Sequence, residues 1–168
     1  MIQYKELFGT GFAFSHRAWG TLAVLVLLPN LFGAFTIPTG FGFNFHFFQV
    51  LVFIAAFAFG PLGGALSGGF GSLYTAMYLN NPWIIIGNII LGFFAGAYFR
   101  KGFHPVVAVW AAFAVQLPWL VWSDIALAGM PARAVLGVVI SLAVCNTLWA
   151  VIAWKLAPGI NGNLSQVV

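Results

Sequence analysis

His46, Gln49, Asn88 and Gln116 are polar side chains set into otherwise apolar runs, with Trp83, Trp119 and Trp122 close by in the chain. Amides and aromatic faces in an apolar setting suit a small-molecule pocket, because a few converging polar groups orient a ligand that apolar walls enclose. Asn80, Asn81, Asp124 and Arg133 fall in the turns beside these runs and extend the candidate set. Bond-breaking chemistry has far less to stand on. The chain has no His-Glu-x-x-His, no Gly-x-x-x-x-Gly-Lys-Ser/Thr and no pair of carboxylates within an apolar run. Glu6 and Asp124 are the only acids, so neither a carboxylate dyad nor an acidic metal cage can be assembled. Ala65-Leu66-Ser67-Gly68 approaches a Gly-x-Ser-Gly nucleophile motif without its leading glycine, and no histidine follows His104 to serve as its base. Ser67 therefore reads as a packing residue, and no catalytic residue, metal or cofactor is expected.

The elements that must position these side chains follow from composition. The chain of 168 residues is 62% hydrophobic and 5% charged, with a mean hydropathy of +1.04, against about 25% charge in soluble domains. That excludes a soluble globular domain and a disordered chain. The six Lys and Arg are too scattered for a nucleic-acid surface. The expected class is an all-α integral membrane protein, multi-pass in the cytoplasmic membrane, with the lipid bilayer around it. A spanning helix takes about 20 residues, and turn residues and charges mark six spans in one domain, at about 18–37, 44–59, 62–79, 83–99, 105–122 and 132–154. The breaks are Pro38-Thr39-Gly40, Gly60-Pro61, Asn80-Asn81-Pro82, Arg100-Lys101-Gly102 and the stretch from Ser123 to Pro131. The first run is as long as a full span and lacks a small-x-small site, which argues against a cleaved signal peptide. Cys145 stands alone in an apolar run, so a disulfide framework is excluded.

Six spans put Lys5, Arg17, Arg100, Lys101 and Lys155 on one side and Arg133 on the other. The positive-inside rule makes the richer side cytoplasmic, with both termini inside. At a rise of about 1.5 Å per residue, His46 and Gln49 lie in the first turn of their span, and Asn88 and Gln116 about 8 and 9 Å below the outer surface. They share one layer, with the tryptophans at or above it and Asn81, Asp124 and Arg133 over it. Each residue also has a plainer explanation. Trp83, Trp122 and Trp154 fit an interfacial aromatic belt. Asn88 and Gln116 could bond to each other between helices, His46 could be a polar anchor, and Asp124 could pair with Arg133 unless a ligand's amine or carboxylate competes. Asn146, off the layer, should bond to a neighbouring helix. Gly60, Gly64 and Gly68 recur every four residues, as do Gly92 and Gly96. Such smooth faces serve tight internal packing or the docking of a partner protein.

The stretch 59–98, reading Phe-Gly-Pro-Leu-Gly-Gly-Ala-Leu-Ser-Gly-Gly-Phe-Gly through Asn81-Pro82 to Gly92-Phe-Phe-Ala-Gly96, resembles the substrate-binding S components of energy-coupling factor (ECF) transporters. That family has six helices, a short Gly-Pro link between spans two and three, a glycine-rich third span and a Gly-x-x-x-Gly fourth span. Arg17 just before the first span also fits. Two features depart from the family. Ser72 stands where many members have an acidic residue, and the Ala-x-x-x-Ala contact motif of the first span is not evident. The resemblance implies a subunit that captures a vitamin-like or other small, flat solute from outside, while a coupling subunit and two ATPase subunits power its release. His46, Gln49, Asn81, Trp83, Asn88, Gln116, Trp119, Trp122, Asp124 and Arg133 would line its pocket, and Gly60, Gly64 and Gly68 would offer the docking surface. A stand-alone secondary carrier, a small channel or a ligand-free membrane scaffold would share the same spans.

Overall fold

The computed structural model describes residues 16–38 and 44–165, so Lys5, Glu6 and the turn at Gly40 lie outside the described residues. Helix α1 spans His16–Gly33, and a ribbon of two antiparallel strands follows, β1 Thr36–Pro38 against β2 Asn44–His46. Then come α2 Phe48–Gly71, α3 Leu73–Tyr78, α4 Trp83–Arg100, α5 Pro105–Trp122, a π-helical turn Ser123–Leu127 and α6 Ala132–Ser165. Four stretches are long and apolar enough to cross a membrane: Phe48–Tyr78, Trp83–Arg100, Pro105–Leu127 and Ala132–Gly159. The exteriors of these and of α1 carry exposed Leu27, Leu31, Val107, Leu136 and Leu148, while Gln49, Ser67, Asn88, Gln116 and Asn146 are buried. Such an inside-out arrangement is that of a helical multi-pass membrane protein.

Helix α2 is folded back on itself. Gly60 takes φ 76° and ψ −161°, a conformation open essentially to glycine alone. Pro61 follows it and removes an amide donor. A Cβ on Gly64 would stand 2.9 Å from the Cβ of Ala56, whereas eight residues of continuous helix span about 12 Å. The partners of α4 give the same answer. Gly92 packs on both Val52 and Gly64, and Phe57 lies against Phe99 with ring centres 4.6 Å apart. The limb 48–59 thus runs parallel to α4, and the limb 61–71 runs antiparallel to it. Arg100 covers the open end of the first limb by donating to the Ala58 carbonyl at 3.3 Å. The limb 48–59 is buried throughout and apolar on nearly every face, as befits the central helix of a bundle.

Glycines let these backbones meet. A Cβ on Gly64 would strike the Gly92 carbonyl and one on Gly92 the Gly64 carbonyl, while Gly68 abuts Asn88 and Gly96 abuts Gly60. Gly60, Gly64 and Gly68 are all buried by the chain's own α4, so the expectation that they form a partner-docking surface is corrected: the stripe is an internal seam. On its other side α1 runs parallel to 61–78, with Ser67 donating to the Leu25 carbonyl at 2.6 Å. Asn30 bridges the break at Ser72, donating to the Phe70 carbonyl and accepting from the Tyr74 amide, each at 2.8 Å.

Several boundaries differ from expectation. The first helix ends at Gly33 rather than near residue 37, because the chain passes into the ribbon. Residues 44–46 are strand, not the start of a helix. The fifth helix does not stop at Trp122 but continues as the π turn, and α6 runs on past Lys155 to Ser165. A charged residue marks where a helix leaves the apolar layer, not where its hydrogen bonds cease.

Candidate functional site

Two helix ends deliver polar residues to a common place. Asn80 closes α3 with φ 49°, a left-handed position that asparagine tolerates. The Asn80 amide donates to the Met77 carbonyl at 3.2 Å and the Asn81 amide to the Ala76 carbonyl at 2.9 Å, the paired bonds of a Schellman cap. The cap turns Asn81 inward, where it is 5% exposed. On the other side of the site the π turn widens the end of α5. Its Ala128 amide donates to the Ser123 carbonyl at 2.9 Å, Gly129 takes φ 68°, and the Met130 amide returns to the Asp124 carbonyl at 2.8 Å. Ser123 and Asp124 become buried while Trp122 is left 53% exposed. Single π turns recur at functional sites because they re-aim side chains within a helix.

Asn81 and Asp124 then meet, the Asn81 Nδ2 donating to Asp124 Oδ1 at 2.8 Å. Asn81 Oδ1 also accepts from the Trp83 amide at 3.2 Å, tying the start of α4 to the same cluster. Below them opens a cavity of about 410 Å³, the size of a small-molecule site. His46, Gln49, Asn81, Trp83, Asn88, Gln116, Trp119 and Asp124 line it. Of the residues proposed from sequence as its wall, Trp122 and Arg133 do not. Trp122, the last residue of the α-helical part of α5 before the π turn, is 53% exposed. Arg133 is exposed at the start of α6, and the expected pairing of Asp124 with Arg133 is replaced by the bond to Asn81.

Trp83 and Trp119 form one aromatic wall, their rings edge to face with centres 6.5 Å apart. Trp119 Nε1 donates to the Trp83 carbonyl at 3.2 Å, which fixes the ring. Gly87 makes room for this wall, since a Cβ there would lie 3.3 Å from Gln116 Nε2 and 3.5 Å from Trp119 Cδ1. Opposite it, the ribbon is pinned to α6 by Trp149, whose Nε1 donates to the His46 carbonyl at 2.7 Å and whose ring lies 5.1 Å from Phe47. Burial pushes the His46 imidazole below its ordinary pKa, favouring the neutral form.

The floor carries the most informative feature. Gln49 is 0% exposed and Gln116 3%, yet both amide atoms of Gln49 and Oε1 of Gln116 find no hydrogen-bond partner among the described residues. Buried polar groups are nearly always satisfied, and leaving one unmade costs about 1–3 kcal/mol. Thr75 Oγ1 is likewise buried and unmatched on the cavity wall. Thr75 escaped the sequence reading although its place near the outer end of the third span gave it the same depth as Gln49. Asn146 is 2% exposed with both amide atoms unmatched, so the expected bond to a neighbouring helix is absent among the described residues. It extends inward, by one turn, the α6 row of Val138 and Leu142 that lines the cavity. Among the described residues no cluster of His, Cys, Asp or Glu could hold a metal ion. No family model matches the chain, and neither a curated protein nor a solved structure matches it.

Proposed function

We propose that this chain is a solute-binding membrane subunit that takes a small organic molecule into the cavity between α2, α3, α4, α5 and α6. The observation that carries the reading is the pair of buried glutamines, Gln49 and Gln116, with unmatched amide atoms on a cavity of about 410 Å³ beside the Trp83–Trp119 wall. A ligand with its own donors and acceptors supplies what these groups lack, while the indoles cover its flat face.

Six spans with both termini cytoplasmic accompany this reading. The reversal at Gly60 divides one apolar stretch into two passes, and α1 adds another. Arg17, Arg100 and Lys101 lie at the Gly60 end of the bundle, and Lys155 beside them, since its neighbour Trp154 packs on His104 with ring centres 5.2 Å apart. Arg133 lies at the opposite, cavity end. By the positive-inside rule the cavity opens outward from the cytoplasmic membrane. The likeness of 59–98 to S components supplies the rest: capture from outside, then release driven by a coupling subunit and two ATPases.

The test is mass spectrometry of small molecules retained by the purified protein, with the Asn88→Leu/Gln116→Leu double variant as comparison. Wild type should release a defined solute that the folded variant lacks. Equal retention by both would remove the pocket assignment. Co-purification with a coupling subunit and two ATPases, and uptake that stops without ATP, distinguish an energised importer from a stand-alone carrier.

A further inference from the structure

Asp124 is the only carboxylate among the described residues, and it is 6% exposed on the wall of the cavity. Among the described residues no Lys or Arg lines that cavity. Its one side-chain hydrogen bond is the donation from Asn81 to Oδ1, so Oδ2 has no protein donor and the charge has no protein counter-charge among the described residues. A carboxylate withdrawn from water without a cation is costly, and the cost is relieved when a cation enters beside it. Trp83 and Trp119 line the same cavity as Asp124, and indole rings attract cations through the negative quadrupole of their faces. Of the other polar groups on the cavity, Gln49, Asn88 and Gln116 are neutral amides suited to a polar edge, Thr75 and Ser123 are hydroxyls, and His46 is the one other titratable side chain among its lining residues.

We propose that the cavity selects a planar organic cation, with Asp124 as its counter-charge, Trp83 and Trp119 against its ring and the glutamine amides on its polar edge. This rests on the solute-binding reading above and adds the charge of the ligand. Asn81 is the positioning residue, holding one oxygen of the carboxylate so that the other faces the ligand.

The test uses three planar probes that differ chiefly in charge: 1-methylnicotinamide (cation), nicotinamide (neutral) and nicotinate (anion). Each is titrated into the purified full-length protein in detergent, with tryptophan fluorescence and thermal unfolding as readouts. The cation should bind about tenfold or more tightly than either of the others. Asp124→Asn should bring the cation down to the level of nicotinamide while leaving nicotinamide unchanged. Three results overturn the proposal: nicotinamide or nicotinate binding as well as the cation, the preference surviving in Asp124→Asn, or none of the probes binding. Should Asp124→Asn fail to fold, the ranking of the probes on the wild type decides alone. A retained solute found by mass spectrometry to be neutral or anionic would also overturn it while leaving solute binding intact, so the two readings fail separately.

Discussion

The Nδ2 of Asn81 donates to Oδ1 of Asp124 at 2.8 Å, joining the cap of α3 to the π turn at the end of α5. Both residues are buried, and the bond roofs the cavity from two elements 43 positions apart in the chain. Removing the amide by Asn81→Ala takes away this bond and the one from Asn81 Oδ1 to the Trp83 amide, leaving a buried carboxylate oxygen without its donor. A loss of about 1–3 kcal/mol follows for such a break. Thermal unfolding in detergent should show it, and Asn81→Asp, which sets two carboxylates together, should be worse than Asn81→Ala.

Stability and binding should move in opposite directions at the cavity floor. Gln49→Leu removes two unmatched buried atoms and should raise the stability of the free protein by about 1–3 kcal/mol. The same change should weaken solute retention by tenfold or more, on the order of the 1.4 kcal/mol that a lost hydrogen bond to the ligand represents. A Gln49→Leu protein that is both less stable and fully competent to bind would show the amide to be structural.

The glycine seam makes a sharper contrast. Gly64→Ala and Gly92→Ala each place a methyl group on a facing backbone carbonyl, where no flexible side chain can yield. Each should destabilise by about 1–3 kcal/mol or more. Gly20→Ala, in α1 with nothing within 4 Å of the added Cβ, should instead be neutral or stabilising by up to about 1 kcal/mol. Comparison of the three midpoints of thermal unfolding checks whether close approach, rather than helix propensity, governs these positions.

Acid should act on His46. Its folded pKa lies below its ordinary 6.5, so the unfolded chain binds the proton first and stability rises with pH. The contribution is whole above about 6.5 and is lost as the pH falls through that value toward the folded pKa. Thermal midpoints taken between pH 7.5 and 5.5 should fall more for the wild type than for His46→Gln, which cannot take up the proton. An equal fall in both proteins assigns the acid sensitivity elsewhere.

Depth was legible in the sequence, and orientation about the helix axis was not. The rise per residue places Gln49, Asn88 and Gln116 in one layer, and the structure sets all three around one cavity. Trp119 lines the cavity and Trp122 does not, although both lie in the regular helix, and Ser123 and Asp124 are buried in a π turn that no periodicity announces. The small-residue stripe at Gly60, Gly64 and Gly68 was evident as a smooth face, but its cover is α4, and only the antiparallel course of 61–71 against α4 reveals that. The ribbon of 36–38 and 44–46 was hidden because an apolar run long enough for a helix does not distinguish a short strand at its end. Thr75, by contrast, was within reach of the depth argument, at the same level as Gln49.

The length of the limb 48–59 has an electrical consequence. Twelve helical residues rise about 18 Å, against a hydrocarbon core of about 30 Å, and Gln49 stands at the far end of that limb from Gly60. In the proposed orientation, which sets Gly60 at the inner surface, the cavity floor lies roughly 12 Å below the outer one. A cation entering so far crosses a share of the transmembrane voltage, whose full drop is worth about 2.3 kcal/mol per charge per 100 mV. On the proposed orientation and the proposed cationic solute, an interior-negative membrane would draw the ligand toward its site.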